Sequence, residues 1–431
     1  MGMLDGKAAL VTGAGRGIGR GIALALAEAG ARVVVNDLGA SLSGEGTEAA
    51  PADQVVAEIR RVGGTAVANH GSVADFAQAT EMVEQVVRAF GRIDVLVNVA
   101  GILRDRMIFN MTEAEWDAVI AVHLKGTFNC TRAASVRMRE QQGGRIVSMS
   151  SVSALGSPGQ PNYAAAKAGI LGLTWSTAGA LAKYGVTANA ILPSGATRMI
   201  DSTPRGRAVF EETGKWPSEM AAGTERDPDN VAPLVVYLAS DAARDVNGQV
   251  FHSYGFGYTL LAQPHAVRSL RGERRWDPEE LARVFPSTLG ANLKPPPSVG
   301  FGTKLDDRPR AEWTDLGGGV RFWRSAWEEP LASPAGSPSS ASTSRTGSAS
   351  SPTGRRSSSR PRRRGTPSAT PGSRFATWMA SSRRACRPPR SASTSASSRP
   401  TSTAPTSAAP RSSSTWATRW RPSRRGSAGW R

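Results

Sequence analysis

The sequence predicts an open α/β fold: a doubly wound parallel sheet of seven strands with helices on both faces, followed by a disordered C-terminal tail. Three observations predict it. Residues 7–12 are a short apolar run that breaks into the turn Gly13-Ala14-Gly15-Arg16-Gly17-Ile18-Gly19, and residues 22–29 then read as a helix. Short apolar runs keep alternating with helical patterns, which implies βαβ units with right-handed crossovers. The second such run ends in an acidic residue, Asp37, 18 positions after Gly19.

Strand, glycine turn and helix together make an anion site. Gly13, Gly17 and Gly19 permit the tight turn and close backbone approach, and the free N–H groups and helix dipole face a pyrophosphate. The run at 31–37 is the second strand. A carboxylate at its tip accepts hydrogen bonds from an adenosine ribose and repels a 2′-phosphate, so Asp37 favours NAD over NADP. Arg16 pulls the other way, since it can reach a phosphate.

Residues 38–52 are rich in Gly, Ser and Glu and read as a polar loop. A helix at 52–62, a strand at 65–69, a helix at 74–90 and a strand at 93–97 follow. The last runs into Asn98-Val99-Ala100-Gly101 at the carboxyl edge of the sheet, where ligands of open α/β folds sit and small residues admit a nicotinamide ribose. Residues 112–138 read as two helical stretches broken near Leu124-Lys125-Gly126. On them His123 is either a packed residue or a proton relay. A strand at 145–149 delivers Ser150 and Ser151 to the edge that holds Asn98, although serines there are commonly caps or turn formers.

Tyr163 and Lys167 stand four apart on an amphipathic helix at 162–183, on one face about a turn apart. The ammonium is expected to stabilise a phenolate and draw the Tyr pKa down from its reference near ~10. Taken alone, the pair is equally a helix with one amphipathic Tyr and one surface Lys. The loop at 156–160 folds back to bring a serine hydroxyl to the phenol. A sixth strand at 187–192 ends in Pro193 and, shortly after, Thr197. Residues 198–229, with Pro204, Pro217 and Pro228, read as an irregular lid or substrate loop. A helix at 231–240, a seventh strand at 249–252 and a short helix at 278–285, capped by Asp277 with Pro278 at N1, complete the order.

Composition narrows the class. Of the 53 Lys and Arg, 19 are Arg within 330–431, a stretch with no acidic residue, so the rest of the chain carries 34 basic against 35 acidic residues. The charge of +18 therefore says nothing about the folded part, and nucleic acid is disfavoured as its partner. Two cysteines, Cys130 and Cys386, make neither a disulfide framework nor a metal site. No run reaches the ~18 apolar residues of a membrane span and no signal pattern opens the chain, so a cytoplasmic location is expected. Residues 330–431 lack Lys, Asp, Glu, Ile and Val, which implies disorder and resembles a coding region read out of frame. The expected domains are 1–262, an extension at 263–329 that packs on the domain or a neighbouring subunit, and the tail at 330–431.

With these pieces placed, residues 7–258 resemble the classical short-chain dehydrogenase/reductase family. The matching motifs are Thr12-Gly13-x-x-x-Gly17-x-Gly19, Asn98-x-Ala100-Gly101, a Ser after the fifth strand, and Tyr163-x-x-x-Lys167. Within the family the chain is similar to the (3R)-hydroxyacyl-CoA dehydrogenase part of peroxisomal multifunctional enzyme type 2 and its bacterial relatives. Val35-Asn36-Asp37-Leu38-Gly39, the 101–106 stretch, Val122-His123-Leu124-Lys125-Gly126 and Gly159-Gln160-x-Asn162-Tyr163 carry that likeness. The resemblance implies a Rossmann fold, NAD(P)-linked hydride transfer at a secondary alcohol or ketone, and a homodimer or homotetramer. The implied substrate is a 3-hydroxyacyl-CoA or a steroid-like alcohol.

By the same resemblance Arg16, Ile18, Ser72, Val73, Pro193 and Thr197 join the glycines, Asp37, Asn98, Ala100, Gly101, Tyr163 and Lys167 at the cofactor. There are departures. Val99 replaces a second Asn, Ser72-Val73 stands where Asp-Val contacts adenine, and His123 replaces a relay Asn. The Ser-to-Tyr loop is one residue short, so spacing selects Ser150 while strand phase from Arg145 selects Ser151. Ser151 is preferred as catalytic, because a strand end fixes position more firmly than loop length. The rival readings are an NADPH-dependent 3-oxoacyl reductase, a silent NAD(H)-binding scaffold, and an RNA-associated protein acting through its Arg tail.

Overall fold

The computed structural model describes residues 2–47, 49–272 and 274–293, together with the backbone of two short strands at 314–317 and 320–322. The tail at 330–431, with its expected disorder, lies outside the described residues. β1 (Ala8–Thr12) and β2 (Arg32–Asn36) flank α1 (Gly17–Glu28); α2 (Ala50–Arg61), β3 (Ala66–Asn69), α3 (Phe76–Phe90) and β4 (Val95–Asn98) follow. Then come α4 (Glu113–Ile120), α5 (Gly126–Gln141), β5 (Gly144–Met149), α6 (Pro161–Leu181) and β6 (Val186–Pro193). α7 (Arg198–Asp201), α8 (Pro204–Thr213), α9 (Ala232–Ala239), β7 (Val250–Tyr254), β8 (Gly257–Leu260) and α10 (Pro278–Val284) complete the main body. The strands at 314–317 and 320–322 form their own antiparallel pair.

The sheet runs β3-β2-β1-β4-β5-β6-β7-β8. All pairings but the last are parallel, and β1, β4 and β5 are buried at every position because helices cover both faces. The strand order reverses between β1 and β4, and this switch point opens the crevice in which doubly wound sheets bind ligands. Thr12 Oγ1 closes the crevice floor, accepting the backbone N–H groups of Val99 at 3.0 Å and Ala100 at 3.3 Å. Leu10, Met82, Val86, Leu96, Cys130 and Met138 belong to a core cluster on the α3–α5 face.

Three expectations need correction. The sheet has eight strands and not seven: after β7 the two residues Gly255-Phe256 turn the chain back into antiparallel β8. Its exposed sequence, Gly-Tyr-Thr-Leu, gives no burial signal of the kind that marks the central strands. The helical stretch at 112–138 is not broken near Gly126. Residues Ala121–Lys125 form a π-turn that joins α4 to α5 without interruption. Gly126 is there for contact, since a Cβ at that position would lie 2.7 Å from Val73 Cγ2. Finally, 198–229 is not irregular throughout. Pro204 starts α8 at N1, where its missing N–H has no intrahelical partner to lose, and Thr203 Oγ1 caps the helix by accepting from Gly206 N at 3.0 Å.

Among the described residues no helix is long and apolar enough to cross a membrane, and no cluster of potential metal ligands occurs. Cys130 is buried in the core, which pushes its thiol up to about 12. It should resist alkylation at pH 8 in the native protein and react only on unfolding, as peptide mapping after iodoacetamide treatment would show.

Candidate active site

The carboxyl edge of the sheet holds a cavity of about 500 Å³. Gly13, at φ +62, forms its base against the end of β4: a Cβ here would lie 2.6 Å from Ala100 Cα, so only glycine lets the two loops meet. α1 opens beside it with no side-chain cap on its first turn, and Gly17, Ile18 and Gly19 line the wall. An uncapped helix start facing a cavity fits a phosphate group. Asp37 sits at the tip of β2, where Oδ2 accepts from Gly15 N at 2.8 Å and Oδ1 from Gly39 N at 2.7 Å. Each oxygen keeps a further lone pair, so the carboxylate can still receive a ribose hydroxyl.

Ser72, Val73, Ala100, Gly101, Pro193 and Thr197 also line this cavity, as does Arg16. Asn98 does not. Its Nδ2 donates to Thr131 Oγ1 and Ser148 Oγ, both at 3.2 Å, so its side chain ties β4 to α5 and β5 behind the wall. One residue escaped the reading of the sequence. Arg198, at the start of α7, lines the cavity and reaches the Ala40 carbonyl at 3.4 Å. Burial lowers its pKa, the nearby Arg16 charge adds to that and Asp37 opposes it. The stretch in which it lies carried no periodic pattern, and nothing local marks the residue.

At the other end of the site Tyr163, Lys167, Ser151, Ser150 and His123 converge. Tyr163 is 6% exposed, and a hydrogen bond joins its hydroxyl to the Ser151 side chain. Ser150 instead donates to the Lys167 carbonyl at 2.8 Å, holding α6 against the end of β5. A smaller cavity of about 80 Å³, lined by Ser151, Val152, Tyr163, Met199 and Tyr254, adjoins the same phenol. The Lys167 ammonium lies 5.4 Å from the Tyr163 ring centroid and donates to the Met149 carbonyl at 2.7 Å.

The expected drop in the Tyr163 pKa does not arise from the protein alone. Burial pushes the phenol up to about 12 against the lowering effect of Ser151, and the Asp105 charge adds to the rise. Burial also pulls Lys167 down to about 7. In a dry site the loss of solvation outweighs the attraction between charges, and the amine is aimed at a carbonyl rather than at the phenol oxygen.

His123 stands on the π-turn edge-on to Tyr163, with ring centroids 5.0 Å apart. Its Nε2 lies 2.8 Å from the Ile102 carbonyl, and Nδ1 is buried with no protein partner. Burial first, and the Lys167 charge second, push its pKa down to about 3. The ring is thus held towards its neutral form, packed against Gly101 and edge-on to Tyr163.

Known proteins match this arrangement. The short chain dehydrogenase family profile matches residues 7–207. Hydroxyacyl-CoA dehydrogenase ChsB1 of Mycobacterium tuberculosis is 45% identical over 292 residues, 65% of this chain and 88% of that protein. Peroxisomal multifunctional enzyme type 2 of Drosophila melanogaster is 45% identical over 265 residues, 61% of this chain but only 41% of the longer fly protein. The 3-oxoacyl-[acyl-carrier-protein] reductase FabG of Staphylococcus aureus is 42% identical over 253 residues, covering 58% of this chain and 98% of the reductase. Among solved structures, a short chain dehydrogenase from Mycobacterium avium superposes with a TM-score of 0.59 at 44% identity, over 70% of this chain and all of that one. With a nucleotide-sized cavity at the switch point and a Ser, Tyr and Lys at its edge, the chain belongs to the short-chain dehydrogenase family, oxidoreductases that act on CH–OH groups with a nicotinamide nucleotide.

Proposed function

We propose that this enzyme interconverts a 3-hydroxyacyl-CoA thioester, or a steroid-like alcohol of similar bulk, and its ketone, with NAD as the preferred nucleotide. The observation that carries the reading is the convergence of the Ser151 hydroxyl, the Tyr163 phenol and Lys167 where the two cavities meet. The chemistry needs a hydride acceptor, which a nicotinamide nucleotide seated on the glycine turn supplies together with a positive charge near the phenol. Tyr163 takes the proton of the substrate hydroxyl as general base, and Ser151 donates a hydrogen bond to the same oxygen as it becomes a carbonyl. Lys167, in the fraction that stays protonated, adds positive charge over the Tyr163 ring. His123 and Ile102 keep water from the far side.

Asp37 supports NAD, and the Arg16–Arg198 pair supports the second reading, an NADPH-dependent 3-oxoacyl reduction. The proposal also includes residues 1–262 as the catalytic domain with 263–329 as an extension, a homodimer or homotetramer, and a cytoplasmic location.

Tyr163→Phe is expected to lower turnover by about 10³-fold or more while leaving NADH binding, followed by fluorescence titration, unchanged. A fully active variant would overturn the assignment. Steady-state rates with the two nucleotides test the cofactor. Wild type should favour NAD, and Asp37→Ala should shift the NADP/NAD ratio of kcat/KM upward by about 10-fold; a wild type that prefers NADP would establish the second reading instead.

Lys167 makes a separate prediction about pH. Its folded pKa lies near 7, below the ordinary lysine value, so the unfolded chain binds the extra proton between roughly pH 7 and 10.5 and stability rises across that window. The penalty is full below pH 7 and gone above 10.5. Thermal melts should therefore show Lys167→Met gaining on wild type most at pH 6 and least near pH 10, with activity lost throughout.

A further inference from the structure

The loop between β5 and α6 carries a hydrogen-bonded chain that ends at Tyr163. Gln160, buried at the start of α6, accepts at Oε1 from Ser153 Oγ at 3.3 Å and Ser157 Oγ at 3.0 Å. Its Nε2 donates to Asp105 Oδ2 at 2.7 Å, reaching across to the segment that follows β4. Ser153, fully buried, donates its backbone N–H to Ser151 Oγ at 3.1 Å, and Ser151 is the residue bonded to the Tyr163 hydroxyl.

An ionised Asp105 only accepts, which turns Nε2 and not Oε1 of the amide towards it; burial raises the Asp105 pKa, and the hydrogen bond from Gln160 opposes that rise. Held this way, Gln160 obliges both serines to donate to it, which pins the turn at Ser153. The Ser153 N–H then occupies one lone pair of Ser151 Oγ, so the Ser151 proton is directed to the phenol oxygen or to a substrate oxygen. A shift of about 1 Å in such a group can cost about 10²-fold in rate.

We propose that Gln160, with its amide oriented by Asp105, is a positioning residue that fixes Ser151 as a hydrogen-bond donor to Tyr163 and to the substrate oxygen. The proposal rests on the roles given above to Ser151 and Tyr163.

Gln160→Glu sets a second carboxylate against Asp105, and the pair keeps its contact only while it shares a proton. The variant should lose about 30-fold in kcat at pH 8, recover part of it towards pH 6, and keep the wild-type affinity for NADH. Combining it with Asp105→Asn rebuilds the contact with donor and acceptor exchanged, while both serines still donate to residue 160, so kcat at pH 8 should return to within about 3-fold of wild type. Asp105→Leu, changed at the exposed end of the chain, provides a variant that threatens folding less; it should lower the pH-independent kcat by about 10-fold at unchanged NADH affinity, while the ascending limb of its pH profile moves to lower pH because the Asp105 charge no longer raises the Tyr163 pKa.

Wild-type kcat in Gln160→Glu at pH 8 or in Asp105→Leu would overturn the proposal, and so would a double variant no better than Gln160→Glu. Tyr163→Phe, assayed beside them, separates the two levels. If it is inactive while the Gln160 and Asp105 variants behave as wild type, only the positioning role fails; if it is active, the catalytic assignment fails with it.

Discussion

One threonine hydroxyl holds together the two halves of the sheet where they diverge. Thr12 Oγ1 accepts from the backbone N–H groups of both Val99 and Ala100, and Thr12 pairs in register with Asn98. The loop after β1 and the loop after β4 are thereby pulled into contact, close enough that Gly13 has no room for a Cβ against Ala100. The base of the nucleotide cavity is consequently backbone, which is what close approach to a pyrophosphate and a ribose requires. Asn98 serves the same end from behind, bonding to α5 and β5 rather than facing the cavity.

Dehydration then sets the protonation of the reacting groups. Tyr163, Lys167 and His123 are all driven towards their neutral forms, and in each case burial is the leading cause. A lysine pKa lowered to about 7 corresponds to a cost on the order of several kcal/mol in holding its charge. The ammonium still donates to the Met149 carbonyl at 2.7 Å, and burial outweighs that contact. The site is therefore poised: a positive charge brought close to the phenol acts in a medium that screens it poorly, and moves the Tyr163 equilibrium further than it would in water.

At the adenosine end the charges are more evenly balanced. Both Asp37 oxygens are held by backbone N–H groups of the turns they support, so the carboxylate is fixed in place before any ribose arrives. Arg198, from α7, feels the charges of both Asp37 and Arg16, and all three residues line one cavity. Because α7 also lines the second cavity through Met199, the same short helix borders both cavities.

The sequence by itself determined the fold class, the glycine turn, the Tyr163–Lys167 pair and the cap of α10 by Asp277, because each is a local pattern. Apolar periodicity, turn chemistry and four-residue spacing survive whatever the rest of the chain does. Tertiary structure decided the rest. It turned the supposed break at Gly126 into a continuous helix with a π-turn, because that glycine answers a contact with Val73 from another part of the chain. It added β8, whose exposed residues carry no burial pattern, and it brought Arg198 to Asp37 across some 160 residues of sequence. It also placed the Ser151 hydroxyl, not that of Ser150, against the phenol, and raised the phenol pKa where spacing alone implied a fall. Solvation is the common reason: spacing shows which groups can meet, but how much water surrounds them depends on every element packed about the site.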